Sequence, residues 1–303
     1  MNSRIDKIHV PPIKIQGIKT KLIPWIKENA EISNDTLWVE PFLGSGVVGF
    51  NVAGYNALFA DINPHVINFY TQLKEKTINS RIVKHFLEEE GTKLVAGGQE
   101  YYNEVRSRFN DSGNPLDFLF LNRSCFNGMI RFNKSLKFNV PYGHKPERFA
   151  KAYITKIVNQ VKYLEVKFSV NNWTFKCQKF EQTIAEASSR DLVYCDPPYI
   201  GRHVDYYDSW TETDEIRLYE ALKQSGARFI LSTWDNNIYR KNTYLESVWG
   251  DCVKLNKEHF YHIGAKEANR NPMIEALVLN YSPSPKDTVI IHAQKMEQIS
   301  MFG

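Results

Sequence analysis

The chain has 303 residues, 43% of them hydrophobic and 24% charged, which gives enough apolar material for a packed core and excludes a disordered or fibrous protein. No apolar run approaches the ~18 residues of a membrane span, and the charged opening shows no signal-peptide pattern, so a cytoplasmic protein is expected. Cys125, Cys177, Cys195 and Cys252 are widely spaced with no Cys-x-x-Cys pair, which argues against a disulfide framework and against a zinc knuckle.

Along the chain, a proline and glycine loop from Val10 runs through Lys14 and Ile15 into a predicted helix over 19–29, with apolar Leu22, Ile23, Trp25 and Ile26. A strand over 36–39 leads into Glu40-Pro41-Phe42-Leu43-Gly44-Ser45-Gly46, a glycine turn opening a helix from Val47. A second strand, 57–60, ends at Asp61. This is the first half of a nucleotide-binding α/β unit, in which glycines admit close backbone approach and an acid after strand two can bind ribose hydroxyls. Gly44-x-Gly46-x-x-Gly49 also fits a nicotinamide dehydrogenase, which stands as the competing reading.

Helices are predicted over 63–79 and 81–94, the second stopped by Gly97-Gly98. An apolar run, 117–121, then enters a segment whose Asn-Gly and Pro-Tyr-Gly turns predict hairpins. The net charge of +4 is concentrated here. Between residues 122 and 170 ten Lys or Arg face only Glu147 and Glu165, a local charge of +8 that leaves −4 elsewhere. Interleaved with Phe126, Phe132, Phe138, Tyr142, Phe149 and Tyr153, this block suits a phosphate backbone and splayed bases; a solvated basic face is the plainer reading. A helix over 149–164, a strand at 173–175 and the turn to Phe180 follow.

The stretch from Asp191 to Tyr199 reads as a buried strand cut off by an acid, two prolines and an aromatic. The prolines fix φ and hold a carbonyl beside the Asp196 carboxylate. Two acceptors facing one exocyclic amine draw its lone pair out of conjugation, and Tyr199 offers a face for a base. Cys195, inside the apolar strand, reads as a packing residue. Beyond a polar, aromatic loop over 200–210 come a helix over 213–225, a strand over 228–234 and a closing hairpin from 259–262 and 275–279.

Asp196-Pro197-Pro198-Tyr199 resembles the catalytic motif of amino-group DNA methyltransferases that use S-adenosylmethionine. With the amino-end loop, the Glu40 to Gly46 turn and the basic segment in that order, the chain is similar over roughly residues 10–281 to the Dam-type, D12-class adenine-N6 enzymes of the α group. The resemblance implies an α/β, Rossmann-like methyltransferase fold, with catalytic parts at 1–62 and 172–281, a mostly helical target-recognition insertion at 63–171 and a flexible tail at 282–303. It assigns catalysis to Asp196, Pro197, Pro198 and Tyr199, and cofactor contacts to Ile15, Lys19, Glu40, Pro41, Phe42, Gly44, Ser45, Gly46, Asp61, Ile62, Phe180 and Asp196. The family usually has an aromatic where Ile15 stands and an acid where Lys179 stands.

By the same resemblance Arg131 reads a guanine edge, Phe126 and Asn127 fill the space of the displaced base, and Lys14 touches a neighbouring base. Arg123, Asn133, Lys134, Lys137, Asn139, Pro141 and Tyr142 complete the recognition segment, with Arg202, Lys266 and Arg270 in loops facing phosphates. The implied activity is methylation of an extruded adenine in duplex DNA, by a restriction-modification or solitary enzyme, without a metal. The fit is closest to the EcoRV-type modification methylases, whose target would be GATATC. The resemblance also implies a nucleoid-associated protein, and a monomer is expected. The final Gln298-Ile299-Ser300-Met301-Phe302 resembles the peptide by which bacterial proteins dock on the sliding clamp; a frayed tail is the alternative.

Overall fold

Short apolar, β-branched runs form the strands, and their period of two decides which core each side chain enters. In the computed structural model, which describes residues 7–133, 135–200, 210–237, 239–260 and 272–283, β1 (Leu37–Glu40), β2 (Asn56–Asp61), β3 (Asn172–Cys177), β4 (Leu192–Cys195), β5 (Arg228–Asn237), β6 (Val253–Phe260) and β7 (Pro272–Leu279) make one sheet of order β3-β2-β1-β4-β5-β7-β6. The first five run parallel, and β7 is antiparallel to both β5 and β6. Trp38, Leu192, Tyr194 and Ile230 enter one core, while Val39, Val193, Cys195, Phe229 and Leu231 enter the other. Burial on both faces is what parallel strands require.

The first face is covered by α1 (Ile23–Asn29), α2 (Gly49–Val52), α3 (Pro64–Lys74), α4 (Ser80–Ser112), α5 (Pro115–Ser124) and α6 (Lys151–Val170). The second carries α7 (Phe180–Ile184), α8 (Glu212–Ser225) and α9 (Tyr244–Ser247). Asparagines start three helices on the first face: Asn63, Asn79 and Asn114 each accept two backbone N–H groups at the N-terminus they cap. All of α3 to α6 lies between β2 and β3, so the basic segment falls within the helical connection between these two strands.

Several boundaries differ from the sequence expectation. The helix expected from Val47 is only the four residues of α2, and α3 stops at Lys74. Gly97-Gly98 does not end its helix: α4 continues to Ser112 across a break at Gly98, φ 53°, because Tyr102, Val105 and Phe109 beyond it are fully or almost fully buried. Asn122 and Arg123 lie in α5 rather than in a hairpin. After it the chain doubles back through isolated antiparallel bridges, Cys125 to Tyr142 and Phe132 to Phe138. Among the described residues no helix is long and apolar enough to cross a membrane.

Candidate active site

Parallel strands deliver their polar ends to one edge of the sheet, and at a point where neighbouring connections diverge a crevice opens. Here β1 lies between β2 and β4. Glu40 and Asp61 end β1 and β2, and Asp196 directly follows Cys195, the last residue of β4.

The β1 turn is held from both sides. Asp61 accepts the Gly44 N–H with one carboxylate oxygen and the Asn63 N–H with the other, both at 2.9 Å, and the Tyr70 hydroxyl donates to the Ser45 carbonyl at 2.7 Å. Burial raises the Asp61 carboxyl above its ordinary value, and the backbone N–H groups counter it. Gly46 has φ +74°, and a Cβ there would lie 2.3 Å from the Phe50 ring. Gly49 brings α2 against β1, since its Cβ would fall 2.2 Å from Glu40 Oε2. The buried Glu40 accepts the Trp38 indole N–H at 2.9 Å through that same oxygen, and its burial raises its pKa well above the ordinary carboxylate range. In front of Gly44 the space is open, with Ile15 Cδ1 at 4.0 Å the nearest atom to a Cβ built there.

Beside this cradle stands an aromatic group. The Phe42 and Phe180 rings stack at 5.5 Å, and Trp210 meets them at 5.6 and 5.7 Å. Trp210 is fixed by its indole N–H, which donates to Glu215 Oε2 at 2.7 Å, while Trp249 donates to Oε1 at 2.7 Å. Glu215 was not legible in the sequence: an acid in the first turn of α8 reads as a capping or dipole residue, and only the approach of Trp249 from elsewhere in the chain makes it a buried bridge. An open glycine cradle, a buried acid with lone pairs to spare and an aromatic slot together fit a nucleoside cofactor of the S-adenosylmethionine type.

Across the cradle, the Lys19 ammonium lies 2.9 Å from Asp196 Oδ1 and 5.0 Å from the centre of the Tyr199 ring. Lys19 is buried and Asp196 is partly exposed. Burial raises the Asp196 carboxyl, and Lys19 acts in the opposite direction. Cys195, fully buried behind it, has its thiol held well above the ordinary range by burial, as its packing role predicts. A cavity of about 300 Å³ opens on Pro197, Pro198 and Tyr199.

The recognition segment divides. Phe126, Asn127, Asn133, Lys137, Asn139 and Pro141 are exposed. Arg131 is oriented by Asn139, whose side-chain and backbone oxygens accept from its guanidinium at 2.9 and 3.3 Å. Exposed Lys14 is pinned by Asn122, which accepts its N–H and donates to its carbonyl, both at 2.8 Å. Arg123 and Tyr142 correct the expectation. Arg123 is buried and donates to the Pro12 carbonyl and to Gln160, and Tyr142 is buried with its ring stacked on Tyr102 at 5.2 Å. Both therefore serve the insertion's core rather than its surface. Ile62 is exposed beside Asp61. Lys134, Arg202, Lys266, Arg270 and the tail peptide lie outside the described residues.

Comparison with known proteins agrees with this geometry. Residues 16–267 match the family model of the D12 class N6 adenine-specific DNA methyltransferases. The chain is 37% identical over 282 residues to a DNA adenine methylase of Vibrio cholerae, covering 88% of this chain and 94% of that one. It is 33% identical over 239 residues to the Retron Ec67 DNA adenine methylase of Escherichia coli, covering 75% and 78%. Against the type II methyltransferase M.FokI of Planomicrobium okeanokoites it is 28% identical over 283 residues, covering 89% of this chain but 43% of that longer protein. A sheet with its polar ends gathered round a glycine cradle, an Asp-Pro-Pro-Tyr tip and a basic helical insertion are thus joined in one chain, which belongs to the D12 class of N6 adenine-specific DNA methyltransferases.

Proposed function

We propose that this site-specific adenine-N6 methyltransferase works through Asp196 as the acceptor for the amine of an extruded adenine, with Tyr199 as the face on which that base stacks. The observation that carries the reading is the paired placement of Asp196 and Tyr199 around one cation, the Lys19 ammonium, at the mouth of the glycine cradle. A site that gathers a carboxylate and a π-face round an N–H donor is built for an amine on an aromatic base. Burial raises the Asp196 carboxyl and Lys19 opposes that rise, which favours the carboxylate that accepts hydrogen bonds.

Gly44, Ser45 and Gly46 with Ile15 would hold the cofactor's amino-acid end, Asp61 and Ile62 its ribose, and Phe42 and Phe180 its adenine. Glu40 and Pro41 shape the turn from beneath. When bound, S-adenosylmethionine would supply an electron-poor methyl group whose bond to sulfur breaks as the nucleobase amine takes the carbon, leaving S-adenosylhomocysteine, with one proton lost from the methylated nitrogen afterwards. Two acceptors on the amine keep its lone pair on nitrogen, so no base need deprotonate it first. Pro197 and Pro198 keep the acceptor pair rigid.

The insertion, residues 63–171, is the DNA-recognition part. Extruding the base costs a few kcal/mol, which contacts to the duplex offset. Arg131, held by Asn139, reads a guanine edge; exposed Phe126 and Asn127 occupy the gap left by the base; Lys14, Asn133, Lys137 and Pro141 line the approach. GATATC is the target we favour, on the likeness to EcoRV-type modification methylases, together with a monomeric enzyme whose Gln298–Phe302 peptide docks on the sliding clamp.

The test is Asp196→Ala. We expect methyl transfer to fall by at least about 10³-fold, the scale set by loss of a principal electrostatic contact, while DNA affinity by gel shift stays within a few-fold. Sequencing for N6-methyladenine in DNA from cells expressing the wild-type chain gives the target. An active Asp196→Ala enzyme would remove the assigned role.

A further inference from the structure

The cavity at Pro197, Pro198 and Tyr199 has further walls that the reading above leaves unused: Trp234 in β5, Arg240 in the loop that follows that strand, and Tyr244 at the start of α9. Nothing in the sequence singled out this loop. It is a built structure rather than a slack connection. Asn237 Oδ1 accepts the N–H groups of Tyr239 and Arg240, both at 2.9 Å, and the Asn237 N–H returns a 2.9 Å bond to the Arg240 carbonyl. The next asparagine, Asn242, donates its N–H to the Asp235 carbonyl at 2.7 Å and its side-chain amide to the Trp234 carbonyl at 2.9 Å. An Asx-type clasp at Asn237 and the cross-links from Asn242 to β5 therefore fix the backbone on either side of Arg240.

Charge singles out Arg240 within the cavity. The lining has two cations, Arg240 and Lys241. Lys241 is committed to Glu246 at 2.5 Å. The Arg240 guanidinium has no acidic partner among the described residues, although it lies on the same cavity as the buried Glu215. A cavity of about 300 Å³ sits at the lower bound of small-ligand sites, roughly 300–1,000 Å³, which suits one nucleotide. A nucleotide swung out of a duplex cannot leave its phosphates behind. Its base meets the aromatic floor, and its backbone crosses the rim, where a phosphate needs a fork of donors to replace the water it loses.

We propose that Arg240 is the phosphate anchor of the extruded nucleotide, gripping one of the two phosphates that flank the target adenosine while the base lies against Tyr199. The proposal rests on the assignment of Tyr199 as the receiving face. Arg240 contributes no sequence readout. It acts only once the nucleotide has left the stack, so it stabilises the extruded state relative to the paired one.

The test uses the full chain on a duplex carrying its recognised site, with either flanking phosphate replaced by a neutral methylphosphonate. Wild-type enzyme methylating the unmodified duplex checks the underlying reading, and failure there would bring down both. On the anchored linkage we expect wild-type kcat/KM to fall about tenfold, the scale of one charge-assisted contact. Arg240→Ala should lose about as much on the unmodified duplex and nothing further on the modified one, and its salt slope should drop by about 1. Arg240→Lys, which keeps the charge without the fork, should fall between the two and remain sensitive to the methylphosphonate. If Arg240→Ala is as sensitive as wild type to both neutral linkages, or as active as wild type on the unmodified duplex, Arg240 is not the anchor.

Discussion

Lys14 shows how a single side chain can carry a condition-dependent function. Its backbone is pinned at both ends by Asn122, and although the residue is exposed as a whole, partial desolvation of its ammonium brings it down to about 8, with Arg123, Arg148 and Lys156 adding like charge. The sign follows directly: below pH 8 the lysine is charged and attracts phosphates or a base edge, and above it the charge is lost. We expect DNA affinity to weaken as pH rises through about 8, beyond the drift of other groups. Fluorescence anisotropy of the wild type and of Lys14→Met across that range checks it, the variant showing no inflection. Equal pH dependence in both would take Lys14 off the DNA-facing surface.

The turn between β1 and α2 carries the element-scale argument. Its glycines matched a dinucleotide-binding pattern in the sequence, and the folded turn shows what two of them do. Gly46 takes a left-handed conformation against the Phe50 ring, and Gly49 lets α2 close on Glu40 and Phe59. Phe50 cannot yield, because it is fully enclosed by Phe59, Tyr70, Phe168 and Trp173. Gly46→Ala should therefore cost about 2–5 kcal/mol, the sum of a left-handed alanine and an overpacked core. Urea unfolding measures it, and a loss under 1 kcal/mol would mean the turn relaxes freely.

For the molecule as a whole, the insertion is continuous with the catalytic sheet. One apolar cluster runs from Trp38 and Phe59 through Phe168 and Trp173 to Tyr102, Phe109 and Phe138. The Lys14 loop and Arg123's bond to Pro12 join the N-terminal segment to the same mass. Elements that share a core lose their packing together. Thermal unfolding should thus appear as one transition, with near- and far-ultraviolet circular dichroism coincident. Two separated transitions would mean that the insertion holds its own core.

The local chemistry of the sequence reached the strand pattern, the glycine turn, Asp61 after β2 and the Asp196 to Tyr199 tip. Those features depend on alternation, proline φ and glycine freedom over a few neighbouring residues, so they are written wherever the residues are. Helix ends were read less well: Gly97-Gly98 looked like a stop because the buried face of α4 resumes only beyond it. What tertiary structure alone decided involves partners far apart along the chain. Arg123 and Tyr142 looked like DNA contacts until burial against Pro12, Gln160 and Tyr102 claimed them. Lys19 meeting Asp196, Glu215 joining two tryptophans and Arg240 standing over the Tyr199 cavity belong to the same class. A charge or ring in sequence has no fixed environment. Only packing settles whether it is solvated, enclosed or aimed at a substrate, and that choice separates a basic surface from a site.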